Sequence, residues 1–249
     1  MSLSRREFMR LLAMAGAAGM AVNSRIFADA SVDYDLPNFG NLSLMHFTDC
    51  HAQLMPIYFR EPNFNIGIGD AFGKPPHVVG EHFLKHFEIA SGSANSHAFT
   101  FLDFEAAARK YGKVGGFAHL ATLVKRLRAS RPNSLLLDGG DTWQGSYSSL
   151  KTQGADMVAA MKALQPDAMV GHWEFTFGKD RVEELIGEMD YPFLGSNCFD
   201  TEWEERVFES TAYFERGGVS VAVIGQHFPY TPIANPSHMV EGWSFGIRP

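Results

Sequence analysis

A layered α/β domain is what this sequence predicts, and three observations carry that expectation. Short β-rich or apolar runs alternate with longer segments whose apolar residues recur at helical spacing. Each run ends at Asp, Gly, Asn or His, residues that make turns or do chemistry. The composition, 45% apolar and 20% charged over 249 residues, suits an ordinary globular protein with one good core, or one core and part of a second domain.

Residues 1 to 30 come first and stand apart. Ser4-Arg5-Arg6-Glu7-Phe8-Met9-Arg10 precedes an apolar stretch from Leu11 to Val22 and then Ala28-Asp29-Ala30, the order of a positive n-region, a short h-region and a cleavage site. A membrane span needs ~20 apolar residues, so this stretch of small residues is too short to be one. The paired arginines followed by Phe8 resemble a twin-arginine signal, which implies periplasmic localisation, and a mature domain is expected over residues 31 to 249. Loss of the leader would take four arginines and two acids from a chain of net charge -7, leaving -9. An acidic surface without basic runs excludes phosphate-backbone binding, so no nucleic-acid partner is expected.

Leu42 to Thr48 reads as the first strand. Residues 55 to 110, rich in Pro, Gly, Phe and His, are too long for an ordinary loop and read as an insertion with structure of its own. A helix is expected over Gly115 to Ala129, where Phe117, Leu120, Val124 and Leu127 share a face. Further strands follow at Ser134 to Leu137, Ala168 to Val170, Phe193 to Gly195 and Val219 to Ile224, with helices at Gly154 to Leu164 and Lys179 to Met189 between them. The residues after the strands are expected to gather at one sheet edge. Residues 226 to 249 are rich in Pro and aromatics.

Three of those strand ends carry candidate ligands. Asp49-Cys50-His51 follows the first strand, and on an extended segment residues two apart project to one side, where carboxylate and imidazole can share a metal. Alone, such a pair has duller uses in turns. Gly139-Gly140-Asp141-Thr142-Trp143-Gln144-Gly145 follows the second strand, and its glycines allow the close backbone approach that turns Asp141 into a cavity, where it can bridge two cations or cap the next helix. Gly171-His172-Trp173-Glu174-Phe175 delivers another imidazole to the same edge.

In this order the three motifs resemble the calcineurin-like metallophosphoesterases, and within them the 5'-nucleotidase branch. The resemblance implies a layered, metallophosphoesterase-type β-sandwich flanked by helices, incomplete at the C-terminus. It implies Asp49 and His51 on a first metal, Asp141 as bridge and His172 on a second, with Asp141 and His172 at the catalytic centre. Two divalent cations are implied, manganese in particular, although Asp and His ligands suit zinc or iron as well. The 5'-nucleotidases carry Gly-Asn-His-Glu with a His that acts on the leaving group; this chain has Trp173 there, which cannot exchange that proton. An alkoxide leaving group needs such help, whereas a thiol has a pKa of ~8.5 and a persulfide is more acidic still. Tyr58-Phe59-Arg60-Glu61-Pro62, Gly73-Lys74-Pro75-Pro76-His77, Phe101-Leu102-Asp103-Phe104-Glu105, Tyr111-Gly112-Lys113-Val114-Gly115-Gly116 and Pro229-Tyr230-Thr231-Pro232-Ile233-Ala234-Asn235-Pro236 complete a similarity to the SoxB thiosulfohydrolases along the whole chain.

That resemblance implies release of sulfate from a cysteine S-thiosulfonate on a periplasmic sulfur-carrier protein, of the SoxY type acting with SoxZ. Two other readings stay open: a periplasmic 5'-nucleotidase or related phosphoesterase, and an inactive fragment that only binds the carrier. The third arises because SoxB-like proteins carry further His ligands in a G-H-x-H pattern beyond the point where this chain stops, and no H-x-H occurs in it. Cys50 and Cys198 are expected as free, partly buried thiols, because a chain folded in a reducing compartment forms no disulfide while folding. Glu174 is expected to hydrogen-bond a ligating His from behind. His227 reads as a loop histidine or a pocket group, and Asn197 as a ligand-orienting or turn-closing residue. His46, His77, His82, His86, His97, His119 and His238 are given no role.

Overall fold

The computed structural model describes residues 40–58 and 67–246, and from Asn41 onward the chain forms one compact unit. The expected leader lies outside the described residues, as does 59–66 within the expected insertion.

β1 (Ser43–Phe47) leads into that insertion, which has structure of its own: β2 (Ile57–Tyr58), three short helices α1 (Gly80–His86), α2 (Ala94–Phe99) and α3 (Phe104–Tyr111), then β3 (Lys113–Val114). β2 and β3 pair antiparallel, Ile57 opposite Val114, and so close its base. α4 (Phe117–Ser130) buries Phe117 and Val124, seven residues and two turns apart on one face. Next come β4 (Ser134–Asp138), α5 (Tyr147–Thr152), α6 (Ala155–Leu164), β5 (Ala168–Val170), α7 (Lys179–Gly187) and β6 (Phe193–Leu194). α6 starts at Gly154, in a left-handed conformation, and sinks Met157, Val158, Met161 and Leu164 into the core.

β1, β4, β5 and β6 form a parallel sheet in the order β1-β4-β5-β6. Leu135 and Leu136 of β4, on opposite faces, are both inaccessible to solvent, as befits a central strand covered on two sides. Each such side chain stabilises the fold by roughly 1.5–3 kcal/mol relative to exposure. The register sets Phe47 beside Asp138 and Val170 beside Leu194, so the carboxyl ends of the strands finish together. The α/β layering expected from the sequence is therefore present, and the loops after β1, β4 and β5 leave from one edge.

The expected fifth strand departs from the alternation. β9 (Val219–Ile224) lies in no parallel sheet; it pairs antiparallel with β8 (Thr211–Arg216), and the two are joined by Gly217-Gly218. Both glycines have positive φ, 58° and 75°, the backbone that a two-residue hairpin turn of this twist requires. No helix separates Phe193 from Val219 among the described residues, and without a crossover a parallel return cannot form. The end of β9 still reaches the site edge, because Ser196 N–H donates to Gly225 O at 2.8 Å and Gly195 N–H to Glu209 O at 2.8 Å. β7 (Cys198–Asp200) pairs antiparallel with β10 (Trp243–Phe245), with α8 (Thr231–Ala234) between β9 and β10. No helix among the described residues is long and apolar enough to cross a membrane.

Candidate metal centre

The loops after β1 and β4 are bonded to each other by three backbone hydrogen bonds. Asp49 N–H donates to Gly140 O (2.9 Å), His51 N–H to Asp141 O (2.9 Å) and Ala52 N–H to Thr142 O (3.0 Å). The expectation that Asp49 and His51 converge through strand alternation is corrected here. β1 ends at Phe47, and Asp49, His51 and Ala52 take left-handed φ of 55°, 47° and 51°. Asp141 does the same, with φ 55°. Such backbone costs of order 1–3 kcal/mol per residue and persists only where surrounding contacts enforce it. Here the inter-loop bonds enforce it, and the two acids and the imidazole meet as a result.

Gly140 explains the tightness. A Cβ there would stand 2.7 Å from Val170 O and 2.9 Å from His172 N, and its φ is +87°. Only glycine lets the β4 loop lie against the β5 loop, which carries His172.

The four expected ligands come together around one carboxylate. Oδ2 of Asp141 lies 3.6 Å from His51 Nε2 and 3.4 Å from His172 Nδ1, and His51 Nε2 lies 3.8 Å from Asp49 Oδ1. These separations are long for hydrogen bonds, but donors about 2.1 Å from a shared ion stand about 3–3.5 Å apart. Asp49, His51 and Asp141 form the one three-residue cluster of metal-ligating type among the described residues. His172 touches it through Asp141, so the arrangement reads as two half-sites with a common carboxylate, one of three donors and one of two. Among the described residues, Asp141 Oδ1 and His172 Nδ1 are buried without hydrogen-bond partners, which fits them as donors to a cation. Burial, and next the neighbouring Glu174 carboxylate, push the Asp141 pKa up, while His51 and His172 oppose the shift. A divalent cation would reverse that balance. Asp49 and His51 are exposed and Asp141 is buried, so the cluster opens outward above a buried carboxylate. Thr48 Oγ1 donates to Asp49 Oδ2 at 2.6 Å and orients the rim carboxylate.

Behind these candidate ligands Glu174 is completely buried and accepts four backbone N–H bonds. Oε2 takes those of His172 (2.7 Å) and Asp141 (3.1 Å), and Oε1 those of Thr142 (2.6 Å) and Trp143 (3.1 Å). One carboxylate thus ties the β4 loop to the β5 loop. The expected contact with a ligating His exists, but through the backbone of His172 rather than a ring nitrogen.

Comparison with known proteins agrees with this fold. The chain superimposes on the sulfate thiohydrolase SoxB of Thermus thermophilus, solved in complex with glycerol, with a TM-score of 0.66 and 35% identity over 86% of its length. This is the metallophosphoesterase fold of the SoxB and 5'-nucleotidase type. In sequence, 86 residues are 41% identical to human 5'-nucleotidase, and 123 residues are 32% identical to a probable 5'-nucleotidase of Treponema pallidum. The chain spans 40% of the SoxB structure and 15% of the human relative, so it matches less than half the length of each. No protein-family model matches it.

Within this metallophosphoesterase fold three further residues find their places. His227 is buried, not a surface loop residue: its Nδ1 lies 3.0 Å from Gly171 N and 2.9 Å from Gly171 O, and burial lowers its pKa to about 4. Asn197, expected to orient a ligand or close a turn, instead ties the segment after β6 to the loop after β9, donating to His227 O (2.9 Å) and accepting from His227 N (2.8 Å). Asp138 was not singled out in the sequence. It accepts from Gly140 N and Thr142 Oγ1, both at 2.9 Å, and burial, followed by the Glu174 charge, pushes its pKa up to about 8. The signal was present in Leu135-Leu136-Leu137-Asp138, an acid closing an apolar strand. Cys50 and Cys198 are free, as expected, and burial pushes both thiols up to about 12, which leaves them unreactive.

Proposed function

We propose that this chain carries the metal-binding face of a two-metal hydrolase that releases sulfate from a cysteine S-thiosulfonate on a periplasmic sulfur-carrier protein. The observation that carries the reading is Asp141 Oδ2 between His51 and His172, at 3.6 and 3.4 Å, beside a Trp173 whose indole N–H is far too weak an acid to protonate a leaving group. Asp49, His51 and Asp141 would hold one cation, and Asp141 with His172 the other. Manganese is the favoured ion, and these donors also suit zinc or iron. When bound, the ions supply a water of lowered pKa and neutralise anionic oxygens.

The residues do the positioning. Glu174 fixes the backbone of Asp141 and His172 together, so the two half-sites cannot drift apart. Asp141, at the buried end, and Asp49 and His51, at the rim, leave the outer side open to an anionic sulfonate. In the reaction the water oxygen bonds to the sulfonate sulfur and the S–S bond breaks. Sulfate leaves, and the carrier retains a persulfide anion. That anion is stable enough to depart without a proton, which fits tryptophan where the nucleotidases have histidine.

The sequence match to human 5'-nucleotidase supports a second reading, hydrolysis of nucleoside monophosphates by a protein containing this chain. Manganese-loaded protein assayed in parallel on a thiosulfonated carrier cysteine and on AMP separates them. Sulfate release with AMP turnover at least about a hundredfold slower is the expected result, since a missing acid catalyst costs 10²–10⁴ on an alkoxide leaving group. Comparable or faster AMP turnover overturns the sulfur reading in favour of the nucleotidase.

A further inference from the structure

The ring of His172 lacks the usual means by which a ligating imidazole is aimed. A ligating His ordinarily donates its second ring N–H to a carboxylate or carbonyl. Among the described residues nothing hydrogen-bonds the His172 ring; two aromatic neighbours stack on it instead. Phe228 lies 5.2 Å away by ring centroids with 27° between planes, and Trp173 lies 5.9 Å away at 9°.

Phe228 belongs to the loop after β9, a segment remote in sequence from every ligand, and that loop is anchored beside it. Asn197 brackets the His227 backbone with bonds of 2.8 and 2.9 Å. The His227 ring is packed against Phe175, Phe193 and Phe208 at 4.8 to 5.7 Å and cannot pivot. Its Nδ1 meets both polar atoms of the Gly171 peptide, the residue immediately before His172.

We infer that Gln226–Phe228 is a positioning element for the second half-site, in which His227 sets the backbone ahead of His172 and Phe228 sets its ring. The inference rests on the metal reading above and extends it to residues outside the three strand-end motifs. It also gives a physical reason for the buried Asn197, whose side chain, among the described residues, bonds to this loop alone.

Calorimetric titration with Mn²⁺ of the purified chain and four variants tests this. His172→Ala defines which ion depends on His172. Phe228→Leu is expected to weaken that ion about tenfold, as loss of an orienting partner does, and to leave the ion at Asp49 and His51 unchanged. Phe228→Trp, which preserves stacking, should restore it, and Asn197→Ala, which frees the loop, should weaken the same ion. Unaltered affinity in both Phe228→Leu and Asn197→Ala overturns the inference while the metal site stands. If His172→Ala itself binds as the unaltered chain does, or if that chain binds no ion, the metal reading at His172 fails and the inference falls with it.

Discussion

Among the described residues Glu174 has no ion-pair partner, yet it is completely buried and every bond it accepts there comes from the backbone. Bonds to an ionised acceptor contribute about 1.5–3 kcal/mol each, and an unsatisfied buried N–H costs a similar amount. Glu174→Gln keeps the shape but replaces one oxygen with an amide nitrogen that faces N–H groups. A loss of about 3 kcal/mol or more in urea unfolding is expected, together with reduced ion uptake; a variant within about 0.5 kcal/mol of the parent would show that the clamp is not needed. His227 makes a second residue-level prediction through acid. Its ordinary pKa of 6.5 falls to about 4 in the fold because burial disfavours the charged ring. Between those values the folded chain binds fewer protons than the unfolded one, so stability rises with pH across the window. It is whole above about pH 6.5, and up to about 3 kcal/mol is lost as pH falls to 4. Stability measured from pH 4 to 7 should show that slope in the parent and not in His227→Gln; an unchanged slope in the variant would assign it to other groups.

At the scale of elements, the β4 loop is the part whose conformation everything else presumes. Gly140→Ala would place a methyl group 2.7 Å from Val170 O at a φ of +87°, against backbone that cannot move aside. The expected cost is about 2 kcal/mol or more, with loss of both ions because Asp141 follows directly. A stable variant that still takes up ions would mean the β4 and β5 loops are less tightly joined than their contacts indicate. The strands and helices around this loop were legible in the sequence because each is bounded by a turn residue and bears a strong period, as in the Leu135-Leu136 pair or the Met157–Leu164 face. β8 was not, since Thr211-Ala-Tyr-Phe-Glu-Arg216 has weak alternation and acquires its pairing only from β9 across Gly217-Gly218. β7 and β10 were missed for the same reason: three-residue strands are specified by tertiary contact and not by local pattern. The clustering of Asp49, His51 and Asp141 was legible because strand-end motifs survive as residue identities. How Asp49 and His51 converge was not, because the preference of Asp and His for left-handed backbone is too weak to read from sequence and the inter-loop bonds decide it.

For the molecule as a whole, charge and fold are in conflict at one place, and that conflict yields a prediction about stability. The chain has net charge -7, and Asp49, Asp138, Asp141 and Glu174 are gathered where β1 and β4 end. Asp138 and Asp141 are both harder to ionise than free carboxyls, burial being the main cause and Glu174 the next. Folding therefore brings together charges that the unfolded chain keeps apart. Divalent cations that bind this cluster in the folded state alone stabilise it by about 2.7 kcal/mol per ion at a hundredfold excess over the dissociation constant. For a domain of this size each kcal/mol moves the midpoint about 2–4 °C, so chelation should lower Tm by about 5–10 °C for each ion removed. Differential scanning calorimetry with Mn²⁺ or with chelator reads this directly. Asp49→Ala would delete one donor of the proposed three-donor half-site and should shrink the shift, while Asp141→Asn would remove the charge and the second oxygen of the proposed shared donor and should abolish it. A midpoint indifferent to Mn²⁺, or an Asp141→Asn variant that responds as the parent does, would mean the gathered carboxylates hold no functional ion.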